Sequence, residues 1–235
     1  TLTSVDQVLR LQQQLPCYPG AEITLVPFED RDGDGIQGKD DPTMDDLEFK
    51  FTHNHGPTFL KGSGQVRLPV GSNYLELVAS LDTLGLKSID RQLALGSRML
   101  LDVSKGTNAT VSLAYGYPGN VSIFVFEDAD GSKSLTAGDS NFANVAVKYT
   151  DSEGQSGTVL TDSDGKIVLQ GVAPGPLQLT LIQSTLPAQK DRAIVETTGA
   201  MERTVLVGSR EEKSVLFGYQ VVKDGIVEGT VFDDS

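Results

Sequence analysis

Apolar and polar residues alternate with a period of two along much of this chain. The alternation is clearest at 47–51, 145–149 and 177–181, where every second residue is apolar. Such a pattern predicts β-strands that bury one face and expose the other. Turn-forming sequences rich in Asp, Gly and Pro, as at 151–154 and 174–176, separate the apolar runs. Several short strands at this spacing, within about 100 residues, indicate a β-sandwich.

The strand pattern occurs twice, as a colinear repeat. The sequence Phe-Glu-Asp at 28–30 recurs 98 positions later at 126–128. The segment that closes the first copy, 112–117, matches 214–219 at a distance of 102 positions. A repeat of this length predicts two similar domains in tandem.

The first residues of the chain do not follow the strand pattern. Ser4 and Gln7 fit a helix-capping box, apolar residues follow at helical spacing, and Pro16 ends the run. We therefore predict a short N-terminal helix or an extended leader, either specific to this chain or the tail of a preceding unit. Because the chain starts at Thr1 and a third copy of the repeat starts at 229, we expect a piece of a longer protein.

These patterns predict an all-β fold of tandem β-sandwich domains. The predicted boundaries are a leader at 1–19, a first sandwich at 20–118, a second at 119–223 and the start of a third repeat at 224–235.

Composition and charge exclude several classes of function. The 235 residues include 32 acids and 19 bases, a formal net charge of −13, whereas nucleic-acid binding requires a basic face. The single cysteine excludes an intrachain disulfide framework and a zinc site built from cysteines. No apolar run reaches the roughly 18 residues that a membrane-spanning helix needs. Arrangements typical of catalytic triads or phosphate-binding loops are missing from the sequence, so we predict no enzymatic activity.

The acidic segment at 30–41 has the spacing of a calcium-binding loop of the EF-hand kind. Acids stand at loop positions one, three, five and twelve, namely Asp30, Asp32, Asp34 and Asp41. Gly35 at position six permits the sharp turn, and Ile36 at position seven would offer its backbone carbonyl. Calcium takes six to eight hard oxygen ligands, which alternate residues of such a loop direct inward. The alternative is a solvated acidic turn, because Asp and Gly are also good turn formers.

The second copy of the loop keeps most of the oxygen-bearing positions. They are Asp128, Asp130, Ser132, Ser134 and Asp139, at positions one, three, five, seven and twelve. Lys133, however, replaces the glycine at position six and places a cation beside the site. Calcium binding and a solvated turn therefore both remain open for this copy.

Most of the negative charge lies in three matching segments. Segments 28–46, 126–140 and 233–234 together carry −11 of the total of −13. The acidity is thus a property of one repeated loop. The chain lacks disulfides, and we interpret bound metal as the element that stabilises the fold in their place.

With these motifs, the chain resembles the B-type repeats of serine-aspartate repeat surface adhesins, which are related to the B domain of collagen adhesins. The resemblance rests on the acidic loop, on the turns at 161–165 and 171–175 and on the closing Phe-Gly-Tyr at 217–219. It implies a transthyretin-like or prealbumin-like sandwich of immunoglobulin-like kind, arranged in tandem on a bacterial surface as a stiff stalk. It also implies that calcium is held by Asp30, Asp32, Asp34 and Asp41, and in the second copy by Asp128, Asp130 and Asp139.

We therefore expect a calcium-binding (Ca²⁺) repeat region of a secreted or cell-surface protein that serves as a rigid stalk or adhesin segment. Its expected partners are neighbouring repeats of the same chain, with the acidic loop close to the junction with the preceding unit. The alternatives are a module that binds a protein or glycan ligand, and an accessory domain of a larger secreted enzyme or outer-membrane assembly protein. A metal pair formed by His53 and His55 is a weaker hypothesis, because two ligands alone make a poor site.

Overall fold

The computed structural model describes residues 19–89, 98–106, 108–187 and 193–222. The predicted leader helix and the start of the third repeat lie outside these residues. In the first unit, which we define as the described residues of 19–116, the strands are β1 (Gly20–Glu29), β2 (Glu48–His53), β3 (Gly56–Lys61), β4 (Gly64–Pro69), β5 (Gly71–Leu77), β6 (Lys87–Ser88), β7 (Met99–Val103) and β8 (Ala109–Gly116).

In the second unit, the described residues of 119–222, the strands are β9 (Gly119–Glu127), β10 (Ser140–Asn141), β11 (Ala146–Thr150), β12 (Ser156–Leu160), β13 (Lys166–Val172), β14 (Gly175–Leu181), β15 (Ala193–Glu196), β16 (Glu202–Val207) and β17 (Glu212–Val222). The prediction of an all-β fold is confirmed. The described helices are one α-helical turn, α1 (Leu81–Leu84), and one 3-10 turn (Gln183–Thr185). Within the described residues, no helix is long and apolar enough to cross a membrane.

Each unit is a sandwich of two sheets. In the first unit the strand orders are β4-β1-β8-β6 and β3-β2-β5-β7. In the second unit they are β10-β9-β17-β15, with β13 also paired to β9, and β12-β11-β14-β16. The first and last long strands of each unit, β1 with β8 and β9 with β17, pair in parallel. No ladder among the described residues joins a strand of one unit to a strand of the other.

Each sandwich encloses its own hydrophobic core, as alternating strands require. Leu25, Phe49 and Phe51 are fully buried in the first core, whereas Val147 and Phe217 are fully buried in the second. Full burial of a side chain of this size stabilises the folded state by about 1.5–3 kcal/mol. The separate cores agree with two tandem sandwiches, and the domain boundaries given above stay a prediction.

The sequence match between the closing strands was wrong by two residues. The sequence repeat aligned Tyr115 with Phe217, whereas the backbone hydrogen bonds make Tyr115 equivalent to Tyr219. Both carbonyls accept the N–H of the first aspartate of the acidic loop, at 2.8 Å in each unit. The second unit gains residues in its turns at 151–155 and 161–165 and in a register shift within β13, between Leu169 and Val172. The equivalent positions in the closing strands therefore lie 104 residues apart.

Candidate metal centre

The first acidic loop begins where β1 ends, beside the end of β8. The backbone N–H of Asp30 donates to the carbonyl of Tyr115 over 2.8 Å, which continues the β1–β8 pairing by one residue. This bond turns the Asp30 side chain into the protein, where it is fully buried. A buried carboxylate needs several donors, and the loop supplies them.

The loop folds around the carboxylate of Asp30. Its two oxygens accept hydrogen bonds from the N–H of Gly33 at 2.7 Å and of Gly35 at 2.6 Å. Both glycines have φ of +78°, a left-handed conformation that side chains disfavour. Asp41 closes the loop, because its two oxygens accept from the N–H of Arg31 at 2.8 Å and of Gly38 at 2.7 Å.

The structure brings three of the predicted ligands together. Asp30, Asp32 and Asp41 each offer a carboxylate oxygen within 4.8 Å of the others. Asp34 lies outside this group, and its carboxylate accepts from the N–H of Ile36 at 2.7 Å. The side chain of Ile36 is 69% exposed, as expected of a residue that could contribute only its carbonyl. Hard oxygens at this separation suit a divalent cation such as calcium.

The second loop repeats this arrangement in detail. The fully buried carboxylate of Asp128 accepts from the N–H of Ser132 at 2.9 Å and of Lys133 at 3.0 Å. Asp139 closes the loop by accepting from the N–H of Ala129 at 3.0 Å and of Thr136 at 2.6 Å. As in the first loop, three aspartates offer oxygens within 4.8 Å of one another, namely Asp128, Asp130 and Asp139. The predicted serine ligands contact each other instead, since the hydroxyl of Ser132 donates to the carbonyl of Ser134 at 3.1 Å.

Lys133 takes the place of glycine without pairing with the loop acids. Its φ of 63° is left-handed, like that of Gly35 at the equivalent position. Its side chain lines a groove together with Arg203 and Lys213. Among the ion pairs of the described residues, none joins Lys133 to an aspartate of its own loop. The lysine therefore leaves the acidic cluster of this loop intact.

The two buried aspartates differ in the direction of their pKa shifts. Burial raises the pKa of Asp30, and the negative charge of Asp32 adds to the rise, while the N–H groups of Gly35 and Gly33 oppose it. Burial also acts to raise the pKa of Asp128, but the nearby Thr197 hydroxyl and the backbone donors of the loop outweigh it, so that this pKa is lowered. Without metal, the charged form is therefore less favourable at Asp30 than at Asp128.

In the absence of a metal ion, these directions predict that the two aspartates contribute to stability in opposite pH ranges. Because the pKa of Asp30 is raised on folding, its contribution is full below the ordinary pKa of 3.8 and is lost as the pH rises through the raised value. Because the pKa of Asp128 is lowered, its contribution is present above 3.8 and is lost as the pH falls through the lowered value. At pH 7 in chelator, we expect Asp128→Asn to lower the melting midpoint more than Asp30→Asn.

Thermal melts of both variants across the acid range provide the test. Either substitution replaces one of the two carboxylate oxygens that accept backbone N–H groups, so the difference between the variants isolates the charge. The difference should shrink as the pH falls through both pKa values. A difference of opposite sign at pH 7 would contradict the assignment of the two pKa shifts.

The first loop contacts the second unit, not a preceding one as the sequence suggested. Because β8 runs parallel to β1 and leads directly into β9, the loop that follows β1 lies at the end of the unit that faces the next unit. A Cβ added at Gly33 would collide with the carbonyl of Val207, and one added at Gly208 would collide with the carbonyl of Arg31. The two backbones therefore touch, and glycine on both sides makes the contact possible.

Hydrogen bonds around Ser209 complete this contact. The Ser209 hydroxyl donates to a carboxylate oxygen of Glu29 at 2.6 Å and accepts from the N–H of Tyr117 at 3.0 Å. The N–H of Arg210 donates to the carbonyl of Tyr117 at 3.1 Å, and its guanidinium lies 3.8 Å from the centre of the Tyr117 ring. We call this region, formed by 29–33, 117 and 207–210, the joint.

No pattern in the sequence predicted the joint. Its one visible signal is a difference between the copies, because the turn before the last strand reads Gly208-Ser209 in the second unit and Ser104-Lys105 in the first. An ion pair on another side of the contact, between Lys87 and Glu153 at 3.1 Å, also had no signal in the residue spacing.

The two histidines contact each other and their own hairpin. His53 and His55 lie at the end of the β2–β3 hairpin, with ring centres 6.1 Å apart. The Nε2 atom of His53 lies 3.1 Å from the Thr58 hydroxyl, and its Nδ1 accepts from the N–H of His55 at 3.2 Å. Both ring nitrogens of His53 are therefore engaged within the hairpin.

No protein-family model matches the chain, and no curated protein matches it. Among solved structures, it is similar to the minor pilin GBS52 of the Gram-positive pathogen Streptococcus agalactiae, with 15% identity over 89% of this chain and 100% of the pilin and a TM-score of 0.38. It is also similar to the Bacillus anthracis TIE protein, with 12% identity over 86% of this chain and 34% of that protein and a TM-score of 0.33. The shaft pilin SpaA of Lactobacillus rhamnosus GG shows 12% identity over 90% of this chain and 100% of the pilin, with a TM-score of 0.27. At such values the similarities carry no conclusion about function.

Proposed function

We propose that this chain is a calcium-binding structural repeat region of a secreted or cell-surface protein, without enzymatic activity, that acts as a stiff stalk segment. The observation that carries the proposal is the recurrence of one acidic cluster at the same place in both units. In each unit a fully buried aspartate starts the loop, and two further aspartates bring their oxygens within 4.8 Å.

Electrostatics favours a cation in these clusters. Three carboxylates at such distances repel one another unless positive charge compensates. Calcium would supply that charge, with Asp30, Asp32 and Asp41 holding it in the first loop and Asp128, Asp130 and Asp139 in the second. A backbone carbonyl such as that of Ile36, and water, would complete the six to eight oxygens that the ion takes.

The joint links metal binding to stiffness in the proposed stalk. Gly33 donates its N–H to Asp30 within the loop, and its other side packs against Val207 of the second unit. A cation that orders the loop would therefore also order the surface on which the second unit sits. By linkage, an ion that binds only the ordered form stabilises it by about 2.7 kcal/mol at a hundredfold excess over its Kd.

A second candidate function is direct ligand binding by the first unit. One face of the sheet β3-β2-β5-β7 exposes four apolar or aromatic side chains, Pro57, Phe59, Tyr74 and Leu100. The register places small or polar residues at the equivalent positions of the second unit, Ser156, Thr158, Gln178 and Thr204. Phe59 is 54% exposed and Leu100 56%, and exposed aromatic clusters are enriched at binding sites.

The test of this second function exchanges the face of one unit for that of the other. A variant with Phe59→Thr and Tyr74→Gln carries the side chains of the second unit. If this face binds a ligand directly, the unmodified chain should give signals on an array of extracellular-matrix proteins, and this variant should lose them. Equal signals from both would remove the alternative.

The test of the main proposal is a pair of thermal melts. We expect a higher melting midpoint in excess calcium than in chelator. Magnesium should raise the midpoint little above its value in chelator, because magnesium demands a rigid octahedral site. Equal midpoints in calcium and in chelator would contradict the proposal.

A further inference from the structure

The last strand of the second unit has an open edge. β17 pairs with β9 from Glu212 to Tyr219, but it pairs with β15 only from Tyr219 to Val222. Among the described strands, residues 213–216 therefore pair on one side only, with β9. An open strand edge presents backbone donors and acceptors that another strand can use.

Two hydrogen bonds show which backbone groups face this edge. The Thr198 hydroxyl donates to the carbonyl of Leu216 at 2.8 Å and accepts from the N–H of Gly218 at 2.9 Å. Residues that alternate along a parallel strand direct their backbone groups to the same side. Ser214, two residues before Leu216, therefore directs its N–H and carbonyl to the open edge as well.

A groove with basic walls runs beside this edge, between the two sheets. It has a volume of about 320 Å³, and its lining residues are Lys133, Thr198, Arg203, Val205, Lys213, Ser214, Val215 and Leu216. Three of these are cations and none is an acid. Lys213 pairs with the adjacent Glu211 at 3.0 Å, and the Arg203 guanidinium lies 4.0 Å from the centre of the Phe217 ring.

The cations are particular to the second unit. The first unit has uncharged residues at the equivalent positions, with Gly35 for Lys133, Met99 for Arg203 and Ala109 for Lys213. The fold therefore does not require positive charge at this seam. A groove whose charged lining residues are all cations would attract an acidic partner.

We propose that this groove binds an extended acidic peptide from a partner protein, which adds as a strand to the open edge of β17. Backbone hydrogen bonds to the N–H and carbonyl of Ser214 and to the N–H of Leu216 would hold the peptide, because the Leu216 carbonyl already accepts from Thr198. The inward-facing side chains of the peptide would enter the groove. This mode of recognition combines main-chain bonding with pockets for alternate side chains.

The positions along β17 define the peptide sequence. Side chains at 213, 215 and 217 point to the same face of the strand, with Lys213 at one end, apolar Val215 in the middle and Arg203 stacked on Phe217 at the other. With a rise of about 3.3 Å per residue, positions 213 and 217 lie about 13 Å apart along the strand, which is four residues of an extended chain. The preferred peptide therefore carries an acid, an apolar residue and an acid at alternate positions.

Fluorescence anisotropy with a labelled heptapeptide, Ser-Glu-Thr-Val-Thr-Glu-Ser, tests the proposal on the whole chain in calcium. We expect saturable binding that weakens with salt, and at least ~10-fold weaker binding when both glutamates become lysine. A peptide N-methylated at alternate residues has the same charge but lacks backbone donors, and it should also bind at least ~10-fold more weakly. Absent binding, or equal binding of the N-methylated peptide, would overturn strand addition.

Variants of the chain supply an independent check. Lys213→Gln and Ser214→Pro should each weaken binding, the second because proline removes the outward N–H while sparing the bonds to β9. Lys148→Gln, on the exposed surface of β11, is the matched control and should bind normally. Unchanged melting midpoints show that the variants fold. If an anionic polysaccharide such as heparin competes while Ser214→Pro has no effect, the groove is an anion site and the proposal is wrong.

Discussion

Replacing Gly208 with valine is expected to separate the two units while leaving each core folded. A Cβ at this position collides with the carbonyl of Arg31, and backbone atoms cannot move aside as the end of a side chain can. The collision displaces the turn at 207–210, so that the hydroxyl of Ser209 loses Glu29 and Tyr117 together. The units would then keep the Lys87–Glu153 ion pair and the chain at 117–118 but lose the joint, so that their relative orientation would vary.

Small-angle scattering and distances between spin labels measure this change. For labels at Glu48→Cys and Thr158→Cys, in a Cys17→Ser background, we expect a broad distribution of distances in Gly208→Val and a narrow one in the parent. Ser104→Val is the matched control, because Ser104 occupies the equivalent turn of the first unit and is exposed. A narrow distribution in Gly208→Val, centred on the parental distance, would show that the joint does not hold the units.

Loss of the first-loop carboxylates is expected to remove the calcium-dependent stabilisation of the first unit. If calcium binds the folded loop alone, a hundredfold excess over Kd adds about 2.7 kcal/mol, or ~10 °C or more in the midpoint of a domain of about 100 residues. Asp30→Asn should cancel this increment, because it removes the buried charge on which the cluster is centred. Asp128→Asn should do the same for the second unit, and the double variant should melt alike in calcium and in chelator.

Asp162→Asn is the matched control for these variants. The Asp162 carboxylate accepts the N–H groups of Asp164 and Lys166, both at 2.9 Å, and so makes the same kind of loop contact outside the two acidic clusters. Its substitution should leave the difference between calcium and chelator unchanged. If Asp162→Asn lowered that difference as much as Asp30→Asn, the stabilisation would come from general screening of negative charge.

Sequence periodicity predicted the strands because burial of one face imposes a period of two on each strand. Thus Phe49 and Phe51, two residues apart, both lie in the first core. The spacing of the first acidic loop also predicted that Asp30, Asp32 and Asp41 meet, because a tight loop that starts at a buried residue has few ways to close. It also included Asp34, which lies outside the group. Asp30 and Asp41 are eleven positions apart, yet both bond to backbone N–H groups of the same loop.

Other features depend on contacts between distant residues, which spacing does not record. Glu29 and Ser209 are 180 positions apart, and no local pattern marks them as partners. Lys133 was expected to place a positive charge beside the acidic cluster of the second loop, but it lines the groove beside β17. The shift of two residues between the closing strands arose because the turns and the register shift in β13 lengthen the second unit without altering its hydrophobic pattern.

The central claim is that the acidic loops bind calcium and that binding stabilises the folded repeats. Calorimetric titration of the unmodified chain with calcium, after exhaustive treatment with chelator, tests it most directly. The account predicts saturable binding, a higher melting midpoint for the titrated protein and loss of the first-loop heat in Asp30→Asn. An isotherm without binding heat, together with a melting midpoint that calcium does not change, would contradict it.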